Sequence, residues 1–282
     1  MTPTAVLFPG QGSLTSDSAE RARSAWPELV DRACELVGDD PFERAAESTA
    51  YAQPAIFVAS LAGWREHRDE LTDVVAMAGH SLGELSALAA ADAVDVEEGL
   101  RLVVLRGRLM DEAARGAASE GGMLALLGGE PREAAALARD HGLTLANDNA
   151  PGQIVLSGER SAIKDLAAQA RSHGFKSLVL DVPGAFHSQA IATAEAPFRA
   201  ELRKVAWRRP HVPVVSGLTG AGFIDCADEL ARALVSPVHW RDVMATLADL
   251  GARNFVDVGP GRVLARLVPR NLPEMEGHAL VA

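Results

Sequence analysis

Five residues, Gly79-His80-Ser81-Leu82-Gly83, constrain this chain more than any other stretch. Before them runs Val74-Val75-Ala76-Met77-Ala78, apolar and partly β-branched, the pattern of a buried strand. After them come good helix formers, Glu84-Leu85-Ser86-Ala87-Leu88. Gly-x-Ser-x-Gly between a strand and a helix is the layout of a nucleophile elbow. A serine on so sharp a turn is strained, and flanking glycines let neighbouring backbone pass close. Ser81 Oγ then stands clear of the sheet, facing the free N–H groups and positive end of the following helix, where developing oxyanion charge is stabilised. An ordinary serine on a glycine-rich turn has the same spelling, so the strand before and the helix after carry the reading.

The rest of the chain is long enough to build a large core around that turn: 282 residues, 48% hydrophobic and 23% charged. The formal charge of −11 argues against nucleic acid as the main partner. Cys34 and Cys226 lack metal-site spacing, which suggests a reducing compartment without a disulfide framework. The N-terminal residues lead directly into a strand pattern with no basic n-region, and no apolar run is long enough to cross a bilayer. The expectation is a cytoplasmic protein with no membrane partner.

Ala5-Val6-Leu7-Phe8 reads as a short buried strand ending at Pro9-Gly10-Gln11-Gly12-Ser13. The two glycines free the Gln11 backbone to face inward, as an oxyanion donor must, although a plain turn has the same composition. Helical patterns follow over about 18–37, 54–68 and 96–114. In the last, Gly99, Val103, Arg106, Met110 and Ala113 fall on one line, placing a guanidinium within an apolar stripe. Two readings stay open: a snorkelling or ion-paired arginine, or a fork that grips a carboxylate through parallel hydrogen bonds.

From Gly121 the pattern becomes strand 123–127, helix 131–140, strand 143–147, turn 149–152, strand 153–157, helix 161–172 and strand 176–181. This βαββαβ order is ferredoxin-like. The predicted fold class is therefore α/β: a large α/β-hydrolase-like domain with a parallel sheet and nucleophile elbow, formed by residues 1–117 and 187–282, with a small ferredoxin-like subdomain, 118–186, inserted. Further strands are expected at 212–215 and 254–258, with a helix over about 240–250 between them and a final helix after Gly259-Pro260-Gly261.

A serine nucleophile needs a base, and eight histidines are available. His141 and His173 precede helix-stopping glycines, His67 lies in a charged run, His278 lies near the end, and His80 adjoins Ser81 on a turn where neighbours point apart. His187 follows Val182-Pro183-Gly184-Ala185-Phe186, a small-residue loop leaving a strand where the two domains meet, and clefts between domains are where sites form. A satisfied core histidine would also fit that position. Of the carboxylates, only Asp148 and Asp181 suggest themselves as a third member. A Ser–His dyad with the imidazole oriented by a backbone carbonyl is preferred to a triad.

Phe8-Pro9-Gly10-Gln11-Gly12-Ser13, Tyr51-Ala52-Gln53-Pro54-Ala55, Gly79-His80-Ser81-Leu82-Gly83-Glu84, Arg106-Gly107-Arg108, Gly184-Ala185-Phe186-His187-Ser188 and Val258-Gly259-Pro260-Gly261 occur in order along nearly the whole chain. In that order they resemble the malonyl-CoA:acyl carrier protein transacylase family, which includes the acyltransferase domains of polyketide synthases. The resemblance implies Ser81 as acyl-carrying nucleophile and His187 as general base. It implies the Gln11 and Leu82 amides as oxyanion hole, Arg106 as clamp for a malonyl carboxylate, and Phe186 and His80 among the substrate-binding residues. Phe186 in Gly-Ala-Phe-His is similar to the malonyl-preferring version. No bound cofactor or metal is implied: coenzyme A arrives as the thioester substrate, and phosphopantetheine belongs to the acyl carrier protein partner. A basic rim is expected for that partner, with Arg262, Arg266 and Arg270 as candidates at i+4 spacing. The alternative is a serine hydrolase, such as an editing thioesterase acting on carrier proteins. Three positions depart from the family pattern: Leu14 stands where glutamine is usual, Gln189 where proline is common, and Ala233 at the position whose main-chain carbonyl orients the base.

Overall fold

The computed structural model describes residues 2–129 and 131–280. Its larger sheet is parallel throughout, in the order β7-β2-β1-β8-β9, with β1 Thr4–Phe8, β2 Val74–Gly79, β7 Val214–Val215, β8 Asn254–Asp257 and β9 Gly277–Ala279. A parallel sheet needs both faces covered, which is why its central strands read as unbroken apolar runs. Ala5, Val6, Leu7 and Phe8 are all fully buried. One face packs on α1 Ser18–Ala25, α2 Pro27–Val37, α3 Thr49–His67, α4 Gly83–Ala90 and α5 Val96–Arg115. The other packs on α10 Trp240–Asp249 and α11 Val263–Asn271, with Trp240, Phe255 and Leu264 in its core. The helices α8 Glu195–Leu202 and α9 Cys226–Ala233 pack on each other beside the first group.

The second sheet is antiparallel, in the order β4-β5-β3-β6: β3 Gly121–Leu127, β4 Thr144–Ala150, β5 Gln153–Glu159 and β6 Lys176–Leu180. With α6 Pro131–Asp140 and α7 Arg160–Gln169 between the strands, this is the ferredoxin-like arrangement. Its own core includes Leu124, Leu156 and Phe175. One further join matters for the site: Val238 forms a parallel bridge with Asn147, donating from its N–H to the Ala146 carbonyl and accepting from the Asp148 N–H.

Several boundaries differ from expectation, each for a local reason. The helical region over 18–37 is two helices, broken at Trp26, because the residue before a proline is disfavoured in helical conformation. The helix expected from Pro54 begins at Thr49, capped by Ser48, whose hydroxyl accepts the Ala50 N–H at 3.0 Å; Pro54 lies inside it. The strand expected over 143–147 runs to Ala150, with irregular register against β5. The helices α8 and α9 and the strand β9 carried no sequence expectation.

Candidate active site

The strand β2 ends at Gly79 and α4 begins at Gly83, so the chain reverses direction within Gly79-His80-Ser81-Leu82-Gly83. A Cβ on Gly83 would sit 2.0 Å from the Phe8 carbonyl oxygen, and one on Gly79 would sit 1.8 Å from the Gly83 carbonyl carbon. Only glycine permits that crossing. Ser81 is held at φ +54, in left-handed space that non-glycine residues rarely occupy. His187 is held there too, at φ +57. Its turn is pinned by Ser188 Oγ, which donates to the Ala185 carbonyl at 2.6 Å and accepts the Ala190 N–H at 3.3 Å. Two strained residues from distant parts of the chain thus face each other, and such strain is characteristic of functional positions.

The Ser81 hydroxyl donates to His187 Nε2 at 2.8 Å. The opposite ring nitrogen, Nδ1, lies 2.8 Å from the Ala233 carbonyl oxygen and 3.1 Å from that of Ser236. Both are acceptors only, so Nδ1 carries the proton and Nε2 is the free base. Among the described residues, no carboxylate takes part in this pairing. Asp148 instead meets Arg241 at 3.4 Å. Ser236 belongs to the segment clamped on β4 through Val238, so the small sheet helps to fix the imidazole. Burial, and after it the nearby Arg106 charge, push the His187 imidazole down to about 4, although both carbonyl contacts pull the other way. It is therefore neutral, and basic at Nε2, at physiological pH.

Arg106 projects from the stripe on α5 into the same space and is 3% exposed. Its Nη1 donates to Gln53 Oε1 at 2.7 Å and its Nη2 to Ser81 Oγ at 3.0 Å. Gln53 Nε2 in turn donates to Thr49 Oγ1 at 2.9 Å, and Thr49 Oγ1 donates to Gln11 Oε1 at 3.0 Å. This relay ties the arginine fork to the loop after β1. Burial lowers Arg106 to about 10, so it stays cationic at neutral pH. Beyond ion-pair distance, the carboxyl group that acts on it is Glu84, pushed up to about 7 by burial and drawn back down by the Gly217 N–H, which donates to Glu84 Oε1 at 2.7 Å, and by the Arg106 charge. A buried guanidinium without a close carboxylate has unused capacity for one.

Gln11, Leu82, His80 and Phe186 also line the cavity of about 110 Å³ that holds Ser81, His187 and Arg106. Every site residue expected from the sequence therefore meets in one place. Among the described residues, neither the Gln11 nor the Leu82 amide donates to a main-chain acceptor. His80 Nε2 faces Asn149 Oδ1 at 2.8 Å and its ring lies 5.3 Å from that of Trp240. The sequence assigns Gln53 and Asn149 no role: Gln53 stands in the Tyr51–Ala55 pattern and Asn149 in an expected turn. Among the described residues no three metal-ligating side chains converge. No helix among them is long and apolar enough to cross a membrane.

The family model described as "acyl transferase domain" matches residues 33–281. The chain is 34% identical over 280 residues to the polyketide biosynthesis malonyl CoA-acyl carrier protein transacylase PksC of Bacillus subtilis, a match covering 94% of this chain and 95% of that protein. It is 37% identical over 290 residues to the polyketide biosynthesis protein ThaF of Burkholderia thailandensis, where 97% of this chain spans 24% of the relative's length. Among solved structures, the malonyl-CoA:acyl carrier protein transacylase of Xanthomonas oryzae superposes with a TM-score of 0.91 at 29% identity, over 100% of this chain and 95% of that one. On the family match across most of its length and the similarity to PksC, this chain belongs to the acyl transferase domain family.

Proposed function

We propose that this protein transfers a malonyl-type acyl group from coenzyme A to the phosphopantetheine thiol of an acyl carrier protein, through an acyl-serine, in fatty acid or polyketide biosynthesis. The observation that carries the reading is the shared bonding of Ser81 Oγ: it donates to a neutral imidazole and accepts from a buried guanidinium. A plain ester or thioester hydrolase has use for the first contact but not the second.

In the first half-reaction the substrate carboxylate pairs with the Arg106 fork, which Gln53 holds in orientation. His187 Nε2 takes the Ser81 proton as Oγ bonds to the thioester carbon. The carbonyl electron pair moves onto oxygen, and the Gln11 and Leu82 N–H groups stabilise that oxyanion. The intermediate collapses, the carbon–sulfur bond breaks, and the coenzyme A sulfur leaves with the proton from His187. In the second half-reaction the carrier thiol gives its proton to His187 as its sulfur attacks the ester carbon. Ser81 Oγ departs and takes that proton back. Atoms and charge balance without a metal or a redox group.

Phe186, 3% exposed on the cavity wall, crowds the carbon next to the thioester and so favours malonyl over branched acyl groups. His80, fixed by Asn149 and Trp240, forms the wall beside the nucleophile. A cavity of about 110 Å³ suits a short acyl group and leaves little room for water, which must lose to the thiol at the acyl-enzyme stage. The two unbridged cysteines go with a cytoplasmic location. Incubation with malonyl-CoA and a phosphopantetheinylated carrier tests the reading. Malonyl-carrier is the expected product; free malonate with no malonyl-carrier would make the protein a hydrolase.

A further inference from the structure

Glu84 follows Ser81 by three residues, in the first turn of α4, and is only 2% exposed. A carboxylate is favoured at that end of a helix, but an exposed one serves the helix as well and avoids the cost of burial. Its side chain meets the turn after β7 instead. The Gly217 N–H donates to Glu84 Oε1 at 2.7 Å, and the Ser216 side chain supplies a second hydrogen bond. The turn itself is closed by Ser216 N–H to the Ala221 carbonyl at 2.7 Å and by Gly220 N–H to the Ser216 carbonyl at 2.9 Å. A Cβ on Gly217 would lie 3.4 Å from Glu84 Oε1 and 3.2 Å from Val238 Cγ1, so the turn is packed between the two.

From this turn the contacts run on to the base. The Gly217 carbonyl accepts the His239 N–H at 2.7 Å. Val238, next to it, is bonded on its other side to Ala146 and Asp148 of β4. The segment 236–239 is thus held by β4 and by the Gly217 turn together, and it carries the Ser236 carbonyl that lies 3.1 Å from His187 Nδ1. A path of direct contacts leads from the helix of the nucleophile, through Glu84, Gly217 and His239, to the carbonyl that orients the imidazole. Around Glu84 the charged and titratable groups are Arg106 from α5 and Glu229 and Cys226 from α9.

We propose that Glu84 is a positioning residue: by holding the Gly217 turn it fixes the segment whose Ser236 carbonyl aims His187 at Ser81. It acts through its reach, and its charge near Arg106 is secondary. The inference rests on His187 being the base of acyl transfer.

Two substitutions separate reach from charge. Glu84→Asp keeps a carboxylate but is one methylene too short for the Gly217 N–H. Glu84→Gln keeps an oxygen acceptor at full length and loses the charge. Neither alters Arg106 and His80, the charged and titratable side chains that act on His187. Four readouts are compared, each per folded protein as judged by Tm: loading by malonyl-CoA, loading by acetyl-CoA, transfer from the acyl-enzyme, and proton–nitrogen NMR of the His187 ring. In the Asp variant both half-reactions should slow by about tenfold or more at saturation, a loss of about 1.4 kcal/mol of barrier lowering. Malonyl and acetyl loading should fall alike, with half-saturating malonyl-CoA within about twofold, because orientation of the base and not binding is lost. The ring should show both tautomers, and its titration should rise toward the ordinary value of about 6.5 as water reaches it. The Gln variant should stay within about threefold in rate and keep the Nδ1-protonated ring.

The opposite order, with Gln impaired and Asp active, overturns the proposal and makes the Arg106 charge the reason for Glu84. An Asp variant with an unaltered ring spectrum and pH profile also overturns it, whatever its Tm, and reduces Glu84 to packing. If the unsubstituted protein takes no acyl group from malonyl-CoA while the ring still responds to Glu84→Asp, the positioning stands and the transfer reading falls.

Discussion

Arg106 Nη2 donates to Ser81 Oγ at 3.0 Å, so the cation positioned to hold an acyl carboxylate touches the atom positioned to carry the acyl group. A second contact, from Nη1 to Gln53 Oε1 at 2.7 Å, sets the plane of the fork. Recognition and attack therefore converge on one atom, Ser81 Oγ.

Replacing that fork should change acyl choice more than chemistry. Arg106→Ala is expected to lower kcat/KM for malonyl-CoA by about 10- to 150-fold, from roughly 1.5–3 kcal/mol for a charge-assisted bond lost. Acetyl-CoA loading should fall far less or rise, because an acetyl group offers no carboxylate. Arg106→Lys should recover only part of the malonyl rate, since an ammonium lacks the planar fork. Intact mass after parallel incubation with the two thioesters reads the ratio directly; an unchanged ratio removes the clamp.

The pH dependence follows from His187. A general base must be neutral, and burial with the Arg106 charge places this imidazole at about 4. Loading kcat/KM should stay level from about pH 5 to about pH 8, then fall as pH drops through that value. Once a malonyl carboxylate lies against Arg106, the second cause of the lowering is neutralised. The acyl-enzyme's transfer step should then titrate at a higher pH than loading, whereas an acetyl-enzyme should not show the difference. Rapid-quench profiles of each half-reaction would reveal a shared midpoint near 6.5 if the site exerted no such influence.

Phe186 sets the width of the pocket beside the acyl carbon. Phe186→Ser should shift the methylmalonyl-to-malonyl ratio of kcat/KM upward by about 10-fold or more, within the roughly 1–3 kcal/mol available from one methylene's worth of fit. The same change empties a buried site and should cost about 3–5 kcal/mol of stability, visible as a lower Tm. A lower Tm with an unaltered ratio would mean that the ring supports the core without touching substrate.

How far the sequence could be read depended on how local the cause was. The elbow was legible because the steric demand lies within five residues and their flanks: Gly83 must pass the Phe8 carbonyl, and only glycine can. Arg106 was legible because a charge in an apolar helical line stands out. The main-chain acceptor at Ala233 was reached only through the family resemblance, and the second carbonyl, from Ser236, had no sequence signal. Gln53 was missed because α3 is buried on nearly all sides, so no polar face marked it as an exception. Asn149 reads as a turn residue in the sequence because β4 is irregular against β5 and Asn147 is bridged by Val238 from the far side of the chain. Strand order and the edge strands β7 and β9 depend on such distant pairings.

The elbow's steric claim has its own check. Gly83→Ala places a methyl carbon against the Phe8 carbonyl, so β1 and α4 must separate. Overpacking of this kind should destabilise the fold by about 1–3 kcal/mol or more. Because both the Gln11 loop and Ser81 ride on those two elements, loading should fall more steeply than the loss of folded protein accounts for. Denaturant titration beside active-site titration distinguishes the two effects; equal losses would reduce Gly83 to a packing role.

The central claim is that Ser81 carries the acyl group, and intact-protein mass spectrometry after brief exposure to malonyl-CoA tests it most directly. The account predicts one malonyl mass added to the unsubstituted protein, mapped by peptide fragmentation to Ser81, discharged by a phosphopantetheinylated carrier, and missing from Ser81→Ala. An adduct that persists in folded Ser81→Ala, or an unsubstituted protein that produces malonyl-carrier without ever holding the acyl group, would contradict it.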